Sequence, residues 1–409
     1  MDDIDKPRLV LLYHFYAPDD VVSAVLYSEL GEALAQRGWQ VEAWPCNRLH
    51  SGGSTTLPLS EQVGGVRVRR VWRPGWKQSS GLGRMLNALW MVAAWSWRAA
   101  FFRRPRHEVM LVGSDPVLAV AAAAAWKLFR RRSKVAHWCF DLYPDAAIAD
   151  GKLAERGAGA RLFSAAAVAG YRNCDLVADL GSCMQERLLP QIGGHESRTI
   201  TPWALVEPAR APEPDPGVRC ELFGGAKLGL LYSGSFGRAH SYQEFLELAR
   251  ALRGEGVGFC FAGRGHRAEE LKQAVTPQDT NITFAGFAEE AELEKRLTAC
   301  DLHLVSLTPE WTGTVVPSKF FGALAAGRGV VFAGSEESSI AQWVREHQVG
   351  WVLTPDTMEQ TASDLRELAE TPEKLLELRS HCHAVYHEHF SRAKMIDKWD
   401  AELTKLLER

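Results

Sequence analysis

Along the first 140 residues, short apolar runs alternate with stretches whose apolar residues recur at helical spacing. Residues 8–15, RLVLLYHF, predict a buried strand. Residues 22–37 place Val22, Leu26, Leu30 and Leu34 on one helical face and stop at Gly38. Further strands are expected at 39–44, 66–72, 108–112 and 135–140. Residues 117–129 read as an Ala-rich helix followed by three arginines, cations suited to a helix C-terminus. Strand, helix, strand in this order implies parallel sheets joined by right-handed crossovers.

The pattern breaks at 207–217, EPARAPEPDPG, which has the composition of a linker. Beyond it strands are expected at 228–232, 258–262, 282–284, 302–307 and 330–333, with helices at 243–253, 267–275, 290–299 and 318–326. An amphipathic helix is expected at 389–407. The predicted fold class is therefore α/β, with two Rossmann-like doubly wound domains, 1–206 and 218–388, facing across a cleft. Residues 389–409 are expected to pack back towards the first domain. Ligands of such sheets bind outside the carboxyl ends of the strands, so the cleft is the expected site.

Composition changes this picture little. Hydrophobic residues make up 46% and charged residues 24% of the 409, ordinary for a chain that buries large cores. A net charge of −3 argues against a general polyanion or nucleic-acid binder. Eight scattered cysteines without a C-x-x-C pair read as reduced core thiols of a cytoplasmic protein. The acidic start MDDIDKPRLVLLYHF does not read as a secretory signal. One segment bears on membranes: 85–102, MLNALWMVAAWSWRAAFF, about as long as the shortest spanning helices. Asn87, Ser96 and Arg98 argue against crossing, whereas Trp90, Trp95, Trp97 and the flanking Arg84, Arg103, Arg104 and Arg106 would suit an interface. A buried helix is the preferred reading. The basic segments 98–106 and 130–134 are read as a solvated face in preference to a contact for anionic lipid headgroups.

Candidate chemistry gathers in the second half. YSGSFGRAH supplies Gly234, Ser235, Gly237 and Arg238: glycines that admit a close ligand and a guanidinium suited to phosphate. FAGRGH supplies Gly263, Arg264 and Gly265. VPSK supplies Pro317, Ser318 and Lys319, with Ser318 placed to cap a helix whose N–H groups face an anion. Each is a common turn by itself. Three at successive strand ends, with adjacent cations, point to a diphosphate cradle. The chain has no G-x-x-x-x-G-K-[ST] P-loop and no G-x-G-x-x-G after its first strand, which disfavours P-loop ATPases and dinucleotide oxidoreductases.

In order, YSGSFGRAHS, FAGRG, ITFAGF, ACDLHLVSL and VVPSKFFGALAAGRGVVFAG resemble the donor-binding half of family 4 retaining glycosyltransferases, whose fold is GT-B. ELGEALAQRGWQVEAW is similar to that family's first helix, turn and second strand. FDLYPDAAIADG and YRNCDLVADLGSCMQERL resemble the subgroup that builds O-antigen and exopolysaccharide. The resemblance implies retaining transfer from a UDP- or GDP-sugar to a glycan or polyprenyl-linked acceptor in bacterial surface polysaccharide synthesis. It also implies a cytoplasmic protein, peripheral on the inner membrane, that requires no cofactor or metal. By the same resemblance, 234–238 and Lys319 face the donor diphosphate, Gly263, Arg264 and Gly265 line the nucleotide, and the backbone of Gly286 and Phe287 meets the base. Asp141 reaches the reacting sugar or the acceptor. His137 lies on the same strand an even number of residues away, so the two share a face; a core histidine is the competing reading. The candidate catalytic set is Asp141, His137, Arg238 and Lys319. Acceptor-side candidates are Asp19, Asp20 and Ser23, with Glu310 and Trp311 from the PEWTGT loop.

The chain departs from the family at two positions. The family's paired glutamates, eight residues apart, fall on Thr314 and Gly322. The charge work on a leaving diphosphate remains available from Arg238 and Lys319, whereas ribose contacts contribute mainly uniform binding. The loss motivates an alternative, a non-catalytic GT-B partner subunit. A UDP-sugar 2-epimerase is a further alternative and would need acidic and histidine groups in the second-domain site. His383 and His387, four residues apart, imitate zinc spacing, but no H-E-x-x-H is present and no metal is expected.

Overall fold

The computed structural model describes residues 6–52, 55–102, 107–286 and 290–409. They divide into two units: 1–201 with 313–315 and 395–409, and 202–312 with 316–394. The first unit is built on β1 (Arg8–Leu12), β2 (Gln40–Ala43), β3 (Ser60–Val63), β4 (Val66–Arg69), β5 (Glu108–Val112), β6 (Lys134–Trp138), β7 (Leu176–Asp179) and β8 (Glu196–Thr199). Their order is β3-β4-β2-β1-β5-β6-β7-β8, and every neighbouring pair is parallel except β3–β4. Every residue of β5 is buried, the mark of a parallel strand covered on both faces. Helices α1 (Val22–Gln36), α2 (Gly81–Phe101), α3 (Ala122–Phe129), α4 (Asp145–Ala149), α5 (Ala158–Tyr171) and α6 (Ser182–Leu188) connect the strands.

The second unit carries β9 (Leu228–Ser235), β10 (Val257–Arg264), β11 (Ile282–Ala285), β12 (Leu302–Leu307), β13 (Gly329–Gly334) and β14 (Gly350–Leu353), all parallel, in the order β11-β10-β9-β12-β13-β14. Its helices are α7 (Pro216–Phe223), α8 (Gln243–Ala251), α9 (His266–Ala274), α10 (Glu290–Ala299), α11 (Lys319–Ala325), α12 (Ser339–Glu346), α13 (Met358–Glu370) and α14 (Pro372–Val385). A last helix, α15 (Arg392–Glu408), lies mostly in the first unit, where Trp399 packs edge-on against Trp138 at 5.2 Å. Both sheets are doubly wound. Strand order reverses between β1 and β5 in the first unit and between β9 and β12 in the second. Those two reversals are the switch points where such sheets bind ligands.

Several expectations need correction. The strand expected over 66–72 is regular only over 66–69, with one further parallel bridge from Val71 to Cys46, and β3 joins it in a hairpin whose two-residue turn is Gly64 and Gly65, both at positive φ. The stretch 207–217 is not a free linker. Glu207 accepts from Tyr386 and from the N–H of Arg392, Pro212 O accepts from Arg328, and Asp215 caps α7. The segment 85–102 is not simply a core helix. One face of α2 is buried, while Leu82, Met85, Leu89, Trp97 and Phe101 are exposed on the other. Nor are all its basic neighbours solvated. Arg98 donates to the carbonyls of Arg69 and Arg70, and Arg130 is 3% exposed and paired with Glu108 at 2.8 Å. Arg103, Arg104 and Arg106 lie outside the described residues. Among the described residues no helix is long and apolar enough to cross a membrane.

Candidate functional site

In the second unit, the switch point between β9 and β12 holds a cation that no carboxylate of a described residue neutralises. Lys319 opens α11 and its side chain turns back over the end of β9. Its Nζ donates to Ser235 O at 3.0 Å and sits 5.0 Å from the centre of the Tyr232 ring. Its Cε would lie 3.2 Å from a Cβ on Gly234, whose φ of +112° also requires glycine. No carboxylate of a described residue pairs with it. Burial lowers its pKa to about 8. Beside it, burial first and the Lys319 charge second push His240 down to about 3, so that ring is neutral. The His240 Nδ1–H donates to Ser306 O at 2.7 Å, which leaves Nε2 as an acceptor.

The glycines of this turn divide by role. A Cβ on Gly263 would lie 2.7 Å from Gly234 O, and one on Gly265 would lie 2.5 Å from Phe236 O. The N–H of Phe236 donates to Arg264 O at 2.8 Å, and that of Arg267 to Phe236 O at 3.1 Å. Gly263 and Gly265 therefore let the β9 and β10 loops lock together. That is a need of the protein itself, nearer to the tight-turn reading than to a nucleotide lining. Gly237 is different: a Cβ there would meet nothing within 4 Å. Arg238 and Arg264 are exposed beside it. Gly286 is exposed and its carbonyl accepts from Arg296; Phe287 lies outside the described residues.

Ser318 does not cap α11. Its backbone is already helical (φ −65°, ψ −18°), so its hydroxyl cannot reach back to the first-turn N–H groups, and the side chain is exposed. Pro317 is buried behind it. Glu310 is exposed and Trp311 half-buried on a short 3₁₀ turn after β12. Of the two positions that lack the family's glutamates, Gly322 faces open space, with nothing within 4 Å of a Cβ. Thr314 is 1% exposed in the first unit, where its carbonyl accepts from Leu142 N–H at 2.8 Å.

In the first unit, Asp141 and His137 line one pocket with Ser114, Tyr143, Tyr171 and Leu118. The Ser114 hydroxyl accepts from the N–H groups of Phe140 and Asp141 and fixes this loop. Burial and the charge of Asp115 raise the Asp141 pKa to about 6. His137 is 1% exposed; its Nδ1–H donates to Val112 O at 2.9 Å, and burial lowers its pKa to about 4. Its Nε2 is therefore a neutral acceptor. Asp19 is 6% exposed and accepts from His50 N–H at 2.6 Å, so it organises a loop and does not project from it. Asp20 is exposed nearby. Ser23 accepts from the Tyr13 hydroxyl at 2.5 Å.

His14, two residues past the end of β1 at the first unit's switch point, is not among the sequence candidates. Its Nδ1 lies 3.2 Å from Asp115 and its Nε2 lies 3.1 Å from Arg73 Nη1. Burial opposes a charge on the ring, but Asp115 outweighs it and pulls the pKa up to about 9. The Arg73 donor nevertheless requires a lone pair on Nε2, so in this arrangement the ring carries its proton on Nδ1. The signal was available: a polar residue just past the first strand sits where doubly wound sheets bind. The histidines near the C-terminus form a bonded chain. His383 contacts Pro208 O and His387, both at 3.0 Å. Among the described residues no group of three or more His, Cys, Asp or Glu is placed to hold a metal ion.

Residues 227–371 match the family described as glycosyl transferases group 1. The chain is 23% identical to a probable glycosyltransferase, WbjE, of Pseudomonas aeruginosa, over 80% of this chain and 81% of that protein. Sucrose-phosphate synthase from Thermosynechococcus elongatus superposes with a TM-score of 0.71 at 17% identity, covering 98% of this chain and all of that one. HepE of Anabaena, solved in complex with UDP, gives 0.65 at 16% identity, covering 97% of this chain and all of that one.

Proposed function

From a chain that folds as GT-B and carries a glycosyl transferases group 1 domain, we propose a glycosyltransferase that takes its sugar from a nucleoside diphosphate, a UDP- or GDP-sugar. The observation that carries the reading is the half-buried Lys319 at the β9–β12 switch point, whose charge no carboxylate of a described residue neutralises. A cation held out of water without a counter-ion is costly. A donor diphosphate relieves that cost, and the relief grows as negative charge develops on the leaving group. Arg238, exposed on the same turn, adds a second cation. The bare face of Gly237 lets a phosphate approach the backbone. UDP in the HepE structure supports the donor class. Transfer with retention, to a glycan or polyprenyl-linked acceptor of a surface polysaccharide, follows the sequence resemblance alone. Protein cations carry the diphosphate charge in this reading, so no metal is invoked. His137 and Asp141 face the acceptor or the transferred sugar from their pocket in the first unit.

The test is thermal stabilisation of the whole chain by UDP, GDP, dTDP, CDP and ADP, with EDTA or with Mg²⁺. A ligand at one hundred times its dissociation constant stabilises by about 2.7 kcal/mol. One diphosphate should stand out, in EDTA as in Mg²⁺. No stabilisation by any of them removes the reading. Stabilisation without any turnover of the matching sugar nucleotide would favour a non-catalytic partner subunit instead.

A further inference from the structure

Helix α2 has two apolar faces, and only one is used by the fold. Asn87, Ala88, Met91, Trp95 and Ala99 are buried. Leu82, Met85, Leu89, Trp97 and Phe101, spaced by three, four or eight residues on the opposite face, are between 54% and 66% exposed. Trp72 and Trp76 extend this face, stacked edge-on against Trp90 at 5.6 and 6.3 Å. At the other end, Arg130 donates to the carbonyls of Ala99 and Phe102 and so binds the end of α3 to the end of α2. That junction sets Leu128, which is 64% exposed, and Arg131 and Arg132, both exposed, beside the end of the Trp97–Phe101 face. Lys77 and Arg84 are exposed near the start of the helix. Neither α2 nor residues 119–134 contain an Asp or a Glu.

We propose that this face docks the protein onto an anionic bilayer surface, with α2 lying in the plane of the headgroups. An exposed apolar patch of this extent marks an interaction site. Tryptophans favour the membrane interface, and arginines without acidic neighbours match anionic headgroups. At 21 residues the helix is about 32 Å long. It lies on the bilayer and does not span it, as an amphipathic interfacial helix does. A second copy is a poorer occupant, because a symmetric pair would bring the same cations together. The inference does not depend on the sugar-transfer reading.

The experiment is flotation of the whole chain with vesicles of phosphatidylcholine alone or mixed with phosphatidylglycerol, without nucleotide, at low and high salt. Binding to the anionic vesicles, weakened by salt, is expected. Arg131→Glu with Arg132→Glu should lower the partition coefficient on the order of tenfold or more. Trp97→Glu with Phe101→Glu should lower it at least as far. These side chains are exposed, so the thermal transition should not move, and the two pairs check each other if one folds poorly. No binding by the unaltered chain overturns the proposal, as does equal binding by both variants. A lipid-free dimer that Trp97→Glu dissociates would make the face a subunit interface and also overturn it.

Discussion

At the scale of single residues, titration separates roles that the sequence left joined. Lys319 has its pKa lowered to about 8 by burial, so its charge is present below that pH and is lost as pH rises through it. Diphosphate affinity should therefore fall between about pH 7 and 9, and isothermal calorimetry would show it. Lys319→Met removes the buried charge together with its binding role. It should weaken nucleotide binding at least tenfold, the loss of about 1.4 kcal/mol or more, while leaving the melting temperature unchanged or raised. A scaffold lysine would behave in the opposite way. Asp141 is raised to about 6, so the folded chain holds a proton more tightly than the unfolded one between about pH 4 and 6, and stability declines as pH rises through that window. Asp141→Asn should raise the melting temperature at pH 7.5 and leave it nearly unchanged at pH 4, while sugar transfer is lost.

At the scale of elements, much of the second unit could be read beforehand because buried parallel strands are short apolar runs bounded by turns. All five strands predicted there were found, and β12 kept the predicted ends, 302–307. Less legible were elements whose character is set by contacts. Gly64 and Gly65 carry a hairpin signal, yet β3 alternates between exposed and half-buried and reads as polar. β14, α12, α13 and α14 follow the last expected strand and were not anticipated, although α12 and α13 are amphipathic, Ser338 caps α12 and Pro372 opens α14. The glycines of the β9 and β10 turns were found as candidates, but the reason for them was hidden. A sequence shows that a backbone comes close to something; it does not show that Gly263 and Gly265 come close to the neighbouring loop. This makes them testable apart from Gly237. Gly265→Ala combines a contact of 2.5 Å with a φ of +133° and should destabilise the second unit by about 1–3 kcal/mol in urea unfolding. Gly237→Ala meets nothing within 4 Å and should leave unfolding unchanged while weakening nucleotide binding.

For the molecule as a whole, the two units are not two consecutive halves of the chain. Residues 313–315 and 395–409 count with the first, although the second supplies the sequence on either side of 313–315 and just before 395. The apolar spacing of α15 announced a helix, whereas the expectation that it packs back towards the first unit has no basis in that spacing, which reads the same on either surface. Its attachment is visible in Trp399, fully buried against Trp138, and in ion pairs from Arg37 to Asp397 and Asp400. Those exposed pairs contribute little, so the apolar contact dominates. Trp399→Ala should cost about 3–5 kcal/mol, comparable with the whole stability of many domains. Because the loss falls on the first unit, calorimetry of this variant should split one transition into two or move one to lower temperature. Nucleoside diphosphate, held by Lys319 in the second unit, should still raise the higher transition. If both transitions fall together and the nucleotide shift disappears, the units are energetically one, and the donor site depends on packing within the first unit.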